Sequence, residues 1–441
     1  MSLEPDTEIF KEEEAAMLWE KIKKLWKVGL TEKNRMISLF VIIIIIAFVA
    51  TGCDNESPET SDIHVTVVDN EASPLDESDF ADAKSIGEVY RDIYDEAAKT
   101  NRLGSLETKQ RIVVRLGENG YVAVDSENQV DMAGAEQVAE FCKAVDEKKN
   151  DRLTIIVIME LGFRKFDLET EGGNVNIVRG YYQYDQNGCL QNRNTVSYPA
   201  DLWQYTEEGY LIFEGRYFSD ENFVLTLSDT PEHTALRVLP LDKKCRELNR
   251  KYILPVGYEQ NNIFLMDWKE EDFGDLDFYD IFDNFYPLLY KQSVPYIADN
   301  NLGIGAVYQI PEDVFENVIM AYFNIDREML RSKTTYMPED AAYEYRPRGF
   351  YEVEYPDIPY PEVVSYTENQ DGTITLIINA VYPNENTSKL YSHKTVIRPL
   401  NEERFQYVSN QIISPEDDYD TWWHSSRLTE DEWKEIYGGN E

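Results

Sequence analysis

Residues 36–53 read MISLFVIIIIIAFVATGC, an uncharged, almost wholly apolar run that closes on small residues and a cysteine. An element lying in water has no use for such a run, so it sets the part of the chain that folds in water apart from whatever precedes it. Lys21, Lys23, Lys24, Lys27, Lys33 and Arg35 come before it, Ile37 to Val49 form its apolar body, and Ala50-Thr51-Gly52 supply small side chains ahead of Cys53. A basic n-region, an apolar h-region and a small-residue cut site are the three parts of an export signal. Residues 1–52 are therefore expected to be a signal peptide. The acids Glu4, Asp6, Glu8, Glu12, Glu13 and Glu14 do not suit an n-region, which makes Met17 a candidate for the true start. An uncleaved transmembrane anchor is the alternative, although it needs about 20 apolar residues and this run is slightly short. Either way the basic flank stays in the cytoplasm and the acidic remainder is exported.

Ala50-Thr51-Gly52-Cys53 resembles the lipobox of bacterial lipoproteins. That resemblance implies a diacylglyceryl group on the Cys53 thiol, cleavage before it, and lipid anchoring on the extracytoplasmic face of the cell membrane. Residues 54–83 then carry ten Asp or Glu and no Lys or Arg, the composition of a solvated, self-repelling tether. Residues 53–83 are expected to be disordered.

The whole chain has 42 Lys and Arg against 83 Asp and Glu, a net charge of −41. Repulsion from phosphate backbones at that charge excludes nucleic acid as a partner. With 30 Tyr, 19 Phe and 7 Trp the exported part is too rich in rings to stay unfolded.

The pattern predicts an α+β fold, largely antiparallel sheets with a few packed helices. Two domains are expected, an N-terminal one over 84–255 and a C-terminal one over 306–441, joined by an acidic, aromatic helix and linker over 256–305. Ser85-Ile86-Gly87-Glu88 reads as a capping box opening the first helix. Gln110–Leu116 and Tyr121–Val124 around Gly117-Glu118-Asn119-Gly120 read as a hairpin, and Ala135–Lys148 as a helix. Leu153–Glu160 (LTIIVIME), apolar on both faces, suits a central strand. An antiparallel meander follows, from Asn174 to Leu239, with Phe223–Leu227 as one strand. Lys269–Asp283 reads as a helix with an acidic, solvated outer face, ending near Pro287. Beyond the Tyr- and Pro-rich connector Tyr343–Pro361, Asp371-Gly372 marks a hairpin in a four-stranded sheet, and a capping box at Thr429–Glu432 starts the last helix.

No catalytic signature emerges. His64, His233, His393 and His424 form no metal-binding pair, and there is no G-x-S-x-G, S-x-x-K or Walker A sequence. Asp272, Asp275, Asp277 and Asp280 lack the glycine and terminal glutamate of a calcium loop, so no metal and no cofactor beyond the lipid is expected. Cys142, Cys189 and Cys245 are widely spaced, with Cys142 and Cys245 on apolar helical faces; whether two of them pair is open. The polar segment that stands out is Tyr343–Tyr351 (YEYRPRGFY). Tyr345, Arg346, Arg348 and Tyr351 are candidate ligand-binding residues, since guanidinium groups among rings can grip a carboxylate or stack on a ring. The plainer reading is that both arginines neutralise Glu344, Glu352 and Glu354.

The stretches RVLPLDKKCRELNRKYILPVGYEQNNIFLMDW (237–268), RPRGFYEVEYPDIPYPEV, and NAVYP with TSKLYSHKTVIRPL resemble a family of uncharacterised lipoproteins from anaerobic Gram-positive bacteria. The resemblance covers most of the exported chain and implies location rather than activity. The expectation is a non-enzymatic binding or assembly module at the cell envelope, with an envelope protein or cell-wall polymer as partner. An envelope hydrolase using an unrecognised carboxylate pair is the alternative.

Overall fold

The apolar strand at the centre of the first half decides its layering. β2 (Asp151–Met159) pairs in parallel with β1 (Val122–Asp125) and antiparallel with β3 (Gly162–Glu171). The sheet continues in chain order through β4 (Asn174–Tyr184), β5 (Leu190–Tyr205), β6 (Tyr210–Gly215) and β7 (Glu232–Arg237). Successive side chains alternate faces. Ile155 and Val157 therefore join one core with Val138, Phe141 and Val145 of α4 (Ala135–Asp146). Ile156 and Ile158 join another, with α1 (Pro74–Val89), α2 (Arg91–Lys99) and α3 (Leu106–Glu118). Both faces are covered, which is why β2 needs no polar side in its middle.

These elements come from a computed structural model that describes residues 74–217, 231–296, 305–413 and 421–437. The export segment, Cys53, His64, Phe223–Leu227, Asp417, Asp418, Asp420 and Gly438-Gly439 lie outside the described residues.

Three expectations in this half are corrected. α1 begins at Pro74, within the segment expected to be tether, and Ser85 is interior to it, donating to the Ala81 carbonyl (3.1 Å) instead of capping. The reason is tertiary: Asp79 and Asp82 pair with Lys165 of β3, which is 3% exposed at its side chain. Gln110–Leu116 belongs to α3, not to a hairpin; Ser105 caps it by accepting from the Thr108 N–H, and Ile112, Val113 and Leu116 bury one face. That burial overrides the strand preference of the β-branched residues. β3 had no sequence signal, because charges occupy half of FRKFDLETE and only the pairing with β2 and β4 explains it.

In the second half α5 (Lys243–Leu248) runs into a π turn, Asn249–Ile253. β12 (Tyr360–Glu368), β13 (Ile374–Val381), β14 (Ser392–Pro399) and β15 (Phe405–Ile413) form the expected meander, with β8 (Trp268–Lys269) as a fifth strand on its edge. β9 (Tyr308–Pro311), β10 (Tyr336–Met337) and β11 (Ala342–Tyr345) make a small sheet. α6 (Phe278–Tyr290) and α7 (Glu312–Tyr322) lay Phe282, Phe285, Phe315 and Ile319 into one core with Leu376, Ile378 and Tyr407. α8 (Arg327–Ser332) and α9 (Glu430–Tyr437) complete the described helices. Pro287 does not end α6, because only one turn remains beyond it and little backbone bonding is lost.

The described residues fall in one compact unit, and the two halves share a polar seam. Arg237 Nη1 donates to Glu362 Oε2 (2.6 Å), Tyr210 Oη donates to Glu362 Oε1 (2.7 Å), and Asn128 Nδ2 donates to the Tyr360 hydroxyl (3.2 Å). The fold is α+β, as expected, with largely antiparallel sheets.

Candidate functional site

Spacing by three puts Asp277, Asp280 and Asp283 on one side of α6, and that side faces inward. Asp277 is its N-cap, accepting from the N–H groups of Tyr279 and Asp280 (2.9 and 3.0 Å). Asp280 is 2% exposed at its side chain and takes a bidentate grip from Arg348, at 2.8 and 2.7 Å, plus a bond from Arg427 Nε at 2.9 Å. Arg427 Nη2 reaches Asp283 (2.6 Å), whose other oxygen accepts from the Tyr345 hydroxyl (2.6 Å). The solvated face expected here is thus wrong for Asp280 and Asp283. Two guanidinium groups enclosed with them favour burial of charge over hydration.

A cleft of about 460 Å³ opens beside this network, with Asp277, Tyr279, Glu344, Arg346, Arg427 and Trp433 among its walls. Arg346 bonds Glu344 and lies over the Trp433 ring at 4.8 Å, while its Nε has no hydrogen-bond partner among the described residues. Burial, then the neighbouring Asp280 charge, pushes the Asp277 carboxyl up to about 6. It therefore changes charge in the range where a general acid works.

The chain segment leaving this network inverts the usual pattern. Glu352 and Glu354 are buried, and Tyr351, Val353 and Tyr355, between and beside them, are 48%, 67% and 42% exposed. Each acid has a structural job. Glu352 accepts the Gly349 and Leu428 N–H groups (2.7 and 2.9 Å); Glu354 accepts the Gln260 N–H (2.8 Å) and meets His424 Nδ1 (2.7 Å). With the carboxylates tied inward, the apolar side chains have nowhere to go but outward. Phe350 packs against Tyr351, Tyr351 against Tyr437 of α9, and Tyr355 against Trp422, with ring centres 5.5, 6.0 and 4.7 Å apart. Four exposed apolar side chains gathered in one short segment are the pattern of a contact surface, whereas singly scattered ones need no explanation.

The four residues picked from the sequence divide accordingly. Tyr345 and Arg348 are buried parts of the charged frame, Arg346 lines the cleft, and Tyr351 lies on the strip. Arg346 does neutralise Glu344, but Arg348 pairs with the Asp280 carboxylate rather than with those of Glu352 or Glu354, and meets Glu352 only at its carbonyl. Sequence reasoning missed Asp283, Arg427 and the strip residues Phe350, Val353 and Tyr355. The one available signal was the alternation Tyr351-Glu352-Val353-Glu354-Tyr355, which by itself does not tell which set faces in. Cys142 and Cys245 are buried and Cys189 exposed, all three as free thiols. Among the described residues no group of three or more His, Cys, Asp or Glu is placed to hold a metal, and no helix is long and apolar enough to cross a membrane.

Compared with known proteins, residues 76–427 match the model of a family of unknown function, DUF6070. No curated protein and no solved structure matches the chain.

Proposed function

Because the chain belongs to the DUF6070 family, whose function is unknown, membership brings no activity with it, and we propose from the geometry that this protein is a non-enzymatic binding module. It is a lipoprotein of the cell envelope, anchored through diacylglyceryl on Cys53 on the extracytoplasmic face, of the kind found in anaerobic Gram-positive bacteria. The lipobox-like Ala50-Thr51-Gly52-Cys53 and the acidic segment after it support the location. One observation carries the binding role: the outward strip Phe350, Tyr351, Val353 and Tyr355, held rigid by buried Glu352 and Glu354. Its partner is an envelope protein or a cell-wall polymer. Preordered rings lose little freedom on binding, so they suit an interface.

Photo-crosslinking in the native host tests this. A photoreactive side chain at Val353 gives an adduct of discrete mass, whereas one at Val114, exposed on the other half, gives none. A chain that stays uncoupled at both positions rules the strip out as the binding surface. For the anchor, the intact mass of detergent-extracted protein shows a chain beginning at a lipidated Cys53, and Cys53→Ala abolishes it.

A second reading, an envelope hydrolase, is favoured by Asp277 alone, on the cleft wall with its carboxyl near 6. As a general acid it must be protonated, so activity on an envelope polymer would fall as pH rises through about 6 and vanish in Asp277→Asn. Turnover that survives this substitution removes Asp277 from the chemistry.

A further inference from the structure

Charge around the strip narrows the choice of partner. At one end Tyr382 stacks on Trp422 (6.2 Å) and donates to the Asp357 carbonyl (2.7 Å), which places exposed Asp357 beside Tyr355; Glu385, also exposed, follows in the next turn. At the other end Tyr437 brings α9 against Tyr351, and α9 carries Glu430, Asp431, Glu432 and Glu435, all exposed. Cations of the same neighbourhood are spent elsewhere. Arg348 and Arg427 are locked on Asp280, Arg346 on Glu344, and Lys434 on Glu430. Aromatic faces attract ammonium and guanidinium groups, and carboxylates at both ends add long-range steering toward a positive partner.

We infer that the strip docks a basic, partly apolar segment of another polypeptide, whose lysine or arginine side chains lie over the Tyr351 and Tyr355 rings and meet the acids at either end. This rests on the reading of the strip as a binding surface and adds the chemistry of its occupant. An anionic membrane surface is the rival occupant for Tyr and Trp side chains close to a bilayer. Asp431, Glu432 and Glu435 of α9, which remain after Lys434 pairs with Glu430, and the net charge of −41 repel it.

The test uses the full-length protein in non-ionic detergent and two fluorescent peptides of alternating polarity, one with lysine and leucine, the other with glutamate and leucine. The lysine peptide binds, and added salt weakens it. Tyr351→Ser, Val353→Ser and Tyr355→Ser together weaken binding about tenfold or more, as loss of ring contacts at an interface centre does. Asp431→Asn with Glu435→Gln weakens it by a smaller factor. These side chains are exposed, so the variants fold, and an unchanged thermal transition checks it. Equal binding by the triple-serine variant overturns the inference, since general negative charge would then be the only attraction. Equal binding of the glutamate peptide also overturns it, while leaving the strip as a contact surface of other specificity. Strip-dependent capture by anionic vesicles, with no affinity for the lysine peptide, assigns the surface to lipid and overturns it as well. Failure of the crosslink at Val353 in the host, by contrast, would remove the contact surface itself.

Discussion

Each half of the molecule buries charge, and the two do so in opposite ways. In the first half one cation, Lys165, serves three acids, Asp79, Asp82 and Asp167, and the last two remain 51% and 34% exposed at their side chains. In the second half Arg348 and Arg427, each 7% exposed, close on Asp280, which is 2% exposed. The first arrangement leaves surplus negative charge in contact with water. The second leaves its central charges very little solvent to fall back on. Half-open charge fastens an element, α1, onto a sheet that is already complete; fully enclosed charge builds a frame on which an otherwise irregular segment can hold apolar side chains outward.

The sharpest way to break this comparison is Asp280→Ala, which takes from Arg348 its carboxylate partner and leaves Arg427 only Asp283 and, more distantly, Asp277. It should cost about 3–5 kcal/mol in urea unfolding, and amide exchange should quicken over 346–355. A loss below about 1 kcal/mol would mean that the frame is not what holds the connector. Lys165→Met should cost less, about 2–3 kcal/mol, because Asp82 and Asp167 can turn to water, and faster exchange should be confined to α1. If it costs more than Asp280→Ala, the ranking of the two clusters is reversed.

His393 sharpens the contrast from a neutral group. It is wholly buried, hydrogen bonded to Asn410 (2.8 Å) and Tyr258 (3.0 Å), and desolvation pushes its pKa down to about 3. Because the folded ring stays neutral while the unfolded one takes up a proton, its stabilising contribution is complete above the unfolded pKa and is lost as pH falls toward 3. Between pH 6.5 and 5 the loss should approach about 2 kcal/mol, and His393→Gln should flatten it in denaturant titrations at each pH. The smallest effect is expected on the strip. Tyr351→Ser, Val353→Ser and Tyr355→Ser together should shift unfolding by roughly 0.5 kcal/mol or less per site, since exposed side chains take little surface out of water on folding. A larger loss would turn the strip into part of the core and sink its role as a contact surface.

Periodicity was a good guide wherever an element's own burial pattern was strong. β2, α4, the β12–β13 hairpin around Asp371-Gly372 and the Thr429–Glu432 cap of α9 all lie where their patterns put them. It failed where a distant charge or partner strand decided the matter: α1 reaches back to Pro74 through Lys165, and β3 is a strand only between β2 and β4. At the candidate site the sequence marked the right segment and mistook its parts, because the partners of Arg348 and Arg427 lie 68 and 147 residues away in the chain.

The sequence by itself determined the class of fold, the net acidity from which the expectation of no nucleic-acid partner comes, and the apolar run ahead of Cys53 from which the expectation of export comes. Those follow from composition and short-range periodicity, which each residue carries wherever it ends up. Which of two alternating sets, the carboxylates or the apolar side chains of 351–355, turns inward was decided only by the tertiary structure. Either face is compatible with an extended backbone, and the choice falls to Gln260, His424 and Leu428, whose N–H groups exist as partners only once the second half has closed.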